Sequence, residues 1–345
     1  MKTLNWEIMG TLLFLTIFAV VLSASPLYGE GVSVRRGTVQ MKSGETGSTG
    51  GGSPPGPFGD HWVHIQNNAN VDSYDSRKFP YSETALEDRM DANVGCNVSP
   101  DDAAAGVSMN NNGTVSGDIS VTTSESAGDI LLADNSNFSG TANYDSTPWE
   151  LLPITMPTLY TESGDPRILA ETGNMSDDYE INNHNFVVTN RARVIFCAGQ
   201  YKFDSFQLGN NVNFMVDENI GDDEVVEIFV KNSIDFNNRS ILDPPILITG
   251  DTTKLRFYYE GTTPLDLSNR VTFYGFIYAP NAMIEVMNNM NIFGNIVGKE
   301  VWIWNNGGVH YDKALLGEDF GNVFTGGRPA APHKRTDWKE IIVSD

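Results

Sequence analysis

The sequence predicts an all-β protein, a right-handed parallel β-helix or solenoid with an N-terminal hydrophobic helix and a C-terminal capping segment. Three observations predict it. The last third of the chain alternates short apolar–polar runs with Asn and Gly corners, from Tyr278-Ala279-Pro280-Asn281-Ala282 through Phe293-Gly294-Asn295-Ile296-Val297-Gly298-Lys299 to His310-Tyr311-Asp312. The 33 glycines and abundant Asn supply residues that tolerate left-handed backbone angles. Asn-Asn pairs recur at Asn182, Asn210, Asn237, Asn288 and Asn305, with first intervals of 28, 27 and 51 residues, a quasi-period near one coil of stacked strands. At such corners an Asn amide bonds to the amide stacked above or below it. A β-sandwich with Asn-Gly hairpins gives part of the same punctuation, and periodicity alone leaves that alternative open.

From the N-terminus, Ile8 to Ala24 form an apolar run behind Lys2, which predicts a secretory signal peptide or a retained membrane anchor within residues 1–28. Val21 and Ser23 suit cleavage, whereas Arg35 and Arg36 run against the charge preference of an anchor with its domain outside. Both readings export the protein to the cell surface or beyond, with membrane contact only through this segment. Residues 29–60 read as a Gly/Ser/Pro-rich linker, ending in Ser53-Pro54-Pro55-Gly56-Pro57, that cannot pack a core. Residues 61–147 form an N-terminal β lobe whose best helical candidate is Glu83 to Met90. Pro148, Pro153, Pro157 and Pro166 punctuate the passage to a main solenoid at 148–312, although one continuous domain also fits. Residues 313–345 supply the cap, with Phe320, Phe324 and Trp338 as packing groups.

Strand parity assigns faces. Leu255, Phe257 and Tyr259 share the core side, opposite Arg256, Tyr258 and Glu260. Ile284, Val286, Val301 and Ile303 point inward, which turns Glu285, Trp302 and Trp304 outward.

A net charge of −22 excludes a nucleic-acid binder, which needs clustered Lys and Arg, and disfavours anionic lipid surfaces. Cys96 and Cys197 are the only cysteines. A bond between them would close a loop of about 100 residues and contribute about 4–5 kcal/mol; the other reading makes Cys197 a small buried apolar residue.

Several landmarks together carry a family resemblance: Val71-Asp72-Ser73-Tyr74-Asp75-Ser76, Gly113-Thr114-Val115-Ser116-Gly117-Asp118, Val226-Glu227-Ile228-Phe229-Val230, Ile277-Tyr278-Ala279-Pro280-Asn281-Ala282 and His310-Tyr311-Asp312. From Val71 to Tyr311 the chain resembles an uncharacterised family of bacterial exported proteins, often carried behind pilus-assembly-like N-terminal segments. The resemblance implies an exported parallel β-solenoid and no established activity. Glu7 stands where a pilin's fifth mature residue would if counting begins at Thr3, but Lys2 replaces the Gly expected at the cleavage point.

Chemistry has few candidates. Asp72 and Asp75 place two carboxylates three apart, suiting an acid–base pair, a Ca²⁺ site with Asn67 and Asn70, or a self-bonded turn. Asp217 to Glu224 is the densest acidic segment, a Ca²⁺ candidate or a solvated loop. His310 and Asp312 form a His–carboxylate pair without a nucleophile motif, and closing the final coil suits them better. Neither a P-loop, a dinucleotide fingerprint nor HExxH occurs, so no catalytic, cofactor or metal residues are assigned. The functional lead is an outward aromatic set, Tyr258, Tyr274, Tyr278, Trp302 and Trp304, suited to sugar rings or a protein partner unless the C-terminal tail covers it. These features favour a non-catalytic surface protein with a structural or adhesive role, its partner a glycan, a cell-surface protein or a pilus-like assembly. The alternatives are a polysaccharide lyase or hydrolase using Asp72, Asp75, Asp222 and Asp223, and a self-assembling surface module.

Overall fold

The computed structural model describes residues 33–35, 38–40, 54–98, 106–123, 129–144, 146–170, 179–188, 192–210, 212–236, 241–243, 251–268, 271–316, 318, 320, 324–326 and 341–342. The apolar run 8–24, with its expected helix, lies outside them. Two units result, residues 1–47 with 329–345, and residues 48–328. In the first, Ser33–Arg35 and Thr38–Gln40 pair antiparallel, and Ile341–Ile342 pairs antiparallel with Thr38–Gln40, so strands occur within the expected linker.

The second unit is all-β, with 22 strands in one mostly parallel sheet. Among the described residues, helical turns are confined to 3-10 segments at Tyr81–Glu83, Leu86–Arg89, Thr252–Lys254 and Lys313–Leu315. The helix expected at Glu83–Met90 is therefore two separate turns. Thr84 and Ala85 between them are extended, and neither piece buries a residue that would sustain a helix.

Parallel pairing builds three columns. One runs from Arg193–Phe196 through Asn213–Val216 and the starts of Thr272–Val286 and Asn291–Ile303 to Gly308–Asp312. A second takes the first halves of Gly199–Leu208 and Val226–Phe236, then Leu255–Tyr259 and the middles of the same two long strands. The third carries Leu265–Leu267 and the ends of those long strands. Register intervals vary, with Gly199 on Val226 and Val226 on Leu255, then Thr272 on Asn291 and Asn291 on Gly308.

The stack then continues with the N-terminal strands. Phe58–Ile65 pairs with Asn291–Ile303, and Asn70–Tyr74 pairs with Gly308–Asp312, all parallel. Val94–Cys96, Gly106–Met109, Thr114–Val115 and Ile119–Val121 follow, and Ile130–Leu132, Asn137–Phe138 and Ala142–Asn143 come last. Chain order and stacking order thus differ, because the N-terminal strands stand on the C-terminal ones. At the opposite end the ladder turns antiparallel, Tyr179–Asn182 on Asn185–Val188 and Ile168–Ala170 on Arg193–Phe196.

Inward residues form one apolar core. Leu255, Phe257, Tyr259, Ile284, Val286, Val301 and Ile303 are all buried, as their parity requires. Around Phe186, Phe196, Phe203, Phe206, Phe214 and Phe257 the core is aromatic, with neighbouring rings 4.8–6.2 Å apart. In the N-terminal strands it is aliphatic, built from Val63, Ile65, Val107, Met109 and Val115.

Asn corners hold neighbouring strands in register. Asn67-Asn68, Asn111-Asn112, Asn288-Asn289 and Asn305-Asn306 all have positive φ, a region Asn enters at lower cost than most side chains. Their amides form a ladder. Asn111 Nδ2 donates to Asn67 Oδ1 at 2.9 Å, Asn67 Nδ2 to Asn305 Oδ1 at 3.1 Å, and Asn305 Nδ2 to Asn288 Oδ1 at 3.5 Å.

A strap returns the chain from the last strands to the opposite end of the stack. Trp149 N donates to Asn97 Oδ1 at 3.0 Å, Tyr278 OH to Leu152 O at 2.7 Å, and Lys202 Nζ to Pro157 O at 2.8 Å. The Pro-rich end of the expected linker also packs, contrary to the expectation that it cannot. Pro54, Gly56 and Pro57 are buried, and their carbonyls explain it. Asn295 Nδ2 donates to Pro54 O at 2.7 Å and Gly95 N to Pro57 O at 3.1 Å.

Candidate functional site

The third column presents an outward patch that joins distant parts of the chain. Glu300 lies in register with Trp62, Trp302 with His64, and Glu285 with Trp302, while Asp266 stands beside Glu285 on the next strand. Their inward alternates Ile284, Val301, Val63 and Ile65 are sealed, whereas Glu285, Glu300, Trp302, Trp304, Trp62 and His64 are partly exposed. Ring centroids of Trp62 and His64 lie 4.7 Å apart, as do those of His64 and Trp302. The nitrogens Trp302 Nε1, Trp304 Nε1 and His64 Nε2 are shut from solvent without a hydrogen-bond partner. Burial lowers the His64 pKa, with the Glu300 charge pulling partly back, and burial followed by the Asp266 charge raises that of Glu285.

This patch keeps Trp302 and Trp304 of the expected aromatic set and contains none of its three tyrosines. Tyr258 and Tyr278 are buried, at 2% and 0% exposure, so they are no part of a bare face. Tyr258 stacks on Phe229 at 4.8 Å and donates to Glu227 Oε1 at 3.2 Å, while the strap covers Tyr278. Phe320, from the expected cap, packs on Phe276 at 4.3 Å and under the Arg256 guanidinium. Tyr274 is partly exposed but belongs to the first column, stacked on Phe293 at 4.7 Å. Trp62 and His64 were missed by sequence reasoning. Their alternation with Val63 and Ile65 was readable, but nothing in a linear reading sets them beside Trp302.

Of the carboxylates expected to carry chemistry, Asp72 and Asp312 are engaged in joining distant parts of the chain. Asp72 faces its register partner His310, with Oδ1 2.6 Å from Nδ1, and accepts from Tyr81 OH at 2.6 Å and Asn70 Nδ2 at 3.2 Å. The other His310 nitrogen lies 3.2 Å from Asn291 Oδ1, and Tyr81 and Phe293 flank the ring. Asp75 instead takes Arg77 Nε at 2.8 Å, so the two carboxylates serve different partners. Asp312, fully buried, accepts from Ser76 N at 3.0 Å, Ala314 N at 2.9 Å and Thr252 Oγ1 at 2.7 Å. A shallow cavity of about 260 Å³ opens beside it, lined by Ser76, Arg77, Asp251, Thr253, Ala314, Leu316 and Glu318.

In the acidic segment, Asp222 and Asp223 are exposed, and the loop carbonyls converge on a cation of the chain itself. Lys254 Nζ donates to Gly221 O at 2.8 Å, to Asp222 O and to Glu224 O at 3.3 Å. Both cysteines are free, with Cys96 Sγ donating to His61 O at 3.0 Å and Cys197 Sγ to Asp217 Oδ2 at 3.5 Å.

A family model described as a domain of unknown function (DUF7305) matches residues 174–318. No curated protein and no solved structure matches the chain. The match ends just beyond Gly308–Asp312, where the N-terminal strands begin to stack.

Proposed function

We propose that this chain is an exported, non-catalytic cell-surface β-solenoid with an adhesive or structural role, its three columns being the solenoid's faces. The observation carrying this reading is the use of the polar groups. His310, Asp72 and Asp312 fasten one coil to the next, Asn amides fasten the corners, and the partly exposed aromatic patch remains for contact outside the chain. A pilus-like assembly is one setting for such a protein and rests on the family resemblance alone.

The test is a polysaccharide panel incubated with the purified full chain, with and without Ca²⁺, followed for new reducing ends or unsaturated products. Retention on a polysaccharide or cell surface without product supports the reading. Turnover abolished by Asp75→Ala would transfer the protein to the polysaccharide lyases or hydrolases.

Self-assembly is favoured by a separate observation. Leu132 continues the inward line of Ile65 and Met109 yet is 48% exposed, and its neighbour Leu131 is 56% exposed, because among the described residues no strand follows Ile130–Leu132. Concentration-dependent oligomers by light scattering, abolished by Leu132→Glu, support this role; a monomer at all concentrations counts against it.

A further inference from the structure

We propose that the patch of Trp62, His64, Trp302 and Trp304 with Glu285 and Glu300 binds a glycan bearing free amines, an amino-sugar polymer whose rings rest on the indoles and whose ammonium groups meet the carboxylates. This deepens the adhesive reading and rests on it.

Three independent features carry the assignment. The first is shape. Neighbouring strands of a sheet lie about 4.8 Å apart and outward residues two apart along a strand about 6.6 Å, so Trp302, Trp304, His64 and Trp62 fall in one patch, with Trp62 inclined 67° to His64 and His64 58° to Trp302. The face of a single partly exposed indole suits the apolar face of a sugar ring, and inclined neighbours make a cleft for it.

The second is charge. Asp266, Glu285 and Glu300 make no ion pair among the described residues, although Asp266 and Glu285 stand in register on adjacent strands. Like charges placed so destabilise a sheet, and a ligand ammonium group between them removes the penalty. Beside Trp rings, cations gain further from the ring quadrupole. His64, whose pKa burial lowers, adds no opposing positive charge at neutral pH. The net charge of −22 repels anionic polysaccharide and attracts a cationic one.

The third is the trio of unpartnered nitrogens. A native fold leaves few buried polar atoms unsatisfied, and these three, shut from solvent in the free protein, gain hydroxyl or amide partners when the rings turn to meet the ligand.

Titration calorimetry on the full chain tests this with chitosan oligomers (cationic), their fully N-acetylated counterparts (neutral), polygalacturonate (anionic) and poly-lysine. Chitosan oligomers should bind, and acetylation should weaken them at least tenfold. Trp302→Ala with Trp304→Ala should cost at least tenfold, as should Glu285→Gln with Glu300→Gln, while Asp222→Asn with Asp223→Asn on the distant acidic turn changes nothing. Thermal melts verify folding, and Trp302→Tyr should retain most of the affinity. Equal affinity for the acetylated oligomers would overturn the assignment by removing the ammonium–carboxylate contacts, while loss on changing Asp222 and Asp223, or poly-lysine binding that ignores Trp302, would overturn it in favour of bulk charge. Cell attachment that survives loss of both tryptophans sinks this patch and leaves adhesion standing; wild-type protein that attaches to nothing sinks the adhesive reading.

Discussion

Asn305 shows why this chain concentrates its carboxamides at bends. It holds φ of 50° and shares amide hydrogen bonds with Asn67 on one side and Asn288 on the other. Replacement by Ala removes both bonds and leaves a Cβ residue without a compensating side chain in left-handed backbone, a loss of about 2 kcal/mol. Asn305→Gly relieves the backbone and forfeits only the ladder, about 1 kcal/mol. Urea denaturation should rank the wild type above Gly and Gly above Ala; equal losses would show that the left-handed angle is not what Asn supplies there. Gly294 is a stricter case. Its φ is +133°, and an added Cβ would fall 1.9 Å from Gly275 O on the neighbouring strand, so Gly294→Ala should cost about 3 kcal/mol or more. The corner chemistry at Asn288 and Asn305 was legible because paired Asn residues announce themselves. That Asn67 and Asn111 belong to the same ladder was not, since Asn67 reaches its amide partner across 238 residues of chain.

Strands were readable wherever an apolar residue alternated with a polar one over several positions, as in Ala282 to Met287 and Glu300 to Ile303. Parity failed at Leu255–Tyr259, where the inward set is buried but Arg256 and Tyr258 are buried too, because Phe320 and the Glu227 carboxylate cover the outer side. No local pattern reports a covering segment that arrives from elsewhere in the chain. Gly308–Asp312 gives this a measurable form. Its terminal Asp312 caps Lys313–Leu315 and holds Ser76, tying this strand to the N-terminal strands. Burial raises the Asp312 pKa above the ordinary carboxyl value, against the opposing pull of its hydrogen bonds. The folded state therefore holds this proton more tightly than the unfolded chain. The resulting contribution to stability is fully present below the unfolded value near 4 and is lost as pH rises through the folded one. Asp312→Asn keeps an acceptor for Ser76 and Ala314 without the charge. The stability of wild type relative to Asp312→Asn should fall as pH rises above about 4, and parallel pH curves for the two proteins would refute the assignment.

The stacking order has a consequence for how the protein holds together. Residues 54–143 are joined covalently to residues 168–316 through the strap, yet their largest shared surface is the pairing of Phe58–Ile65 and Asn70–Tyr74 with the two C-terminal strands. Asn295 on Pro54, His310 on Asp72 and Asp312 on Ser76 add buried hydrogen bonds at the same seam. A seam of continuous parallel ladder and sealed apolar core resembles the interior of a domain far more than a contact between two. The prolines of the strap read as the place where two lobes part, and residues 152–167 carry no strand. What proline content cannot report is that the strap lies along the strands it connects, with Leu159 82% exposed. Cleaving the chain at a protease site engineered at Leu159 tests which description governs. The seam predicts that the nicked protein elutes as one particle, melts in one transition within a few degrees of the intact chain, and separates only in denaturant. Two fragments resolving by gel filtration in native buffer would mean that the covalent strap, and not the ladder, keeps the N-terminal strands in place.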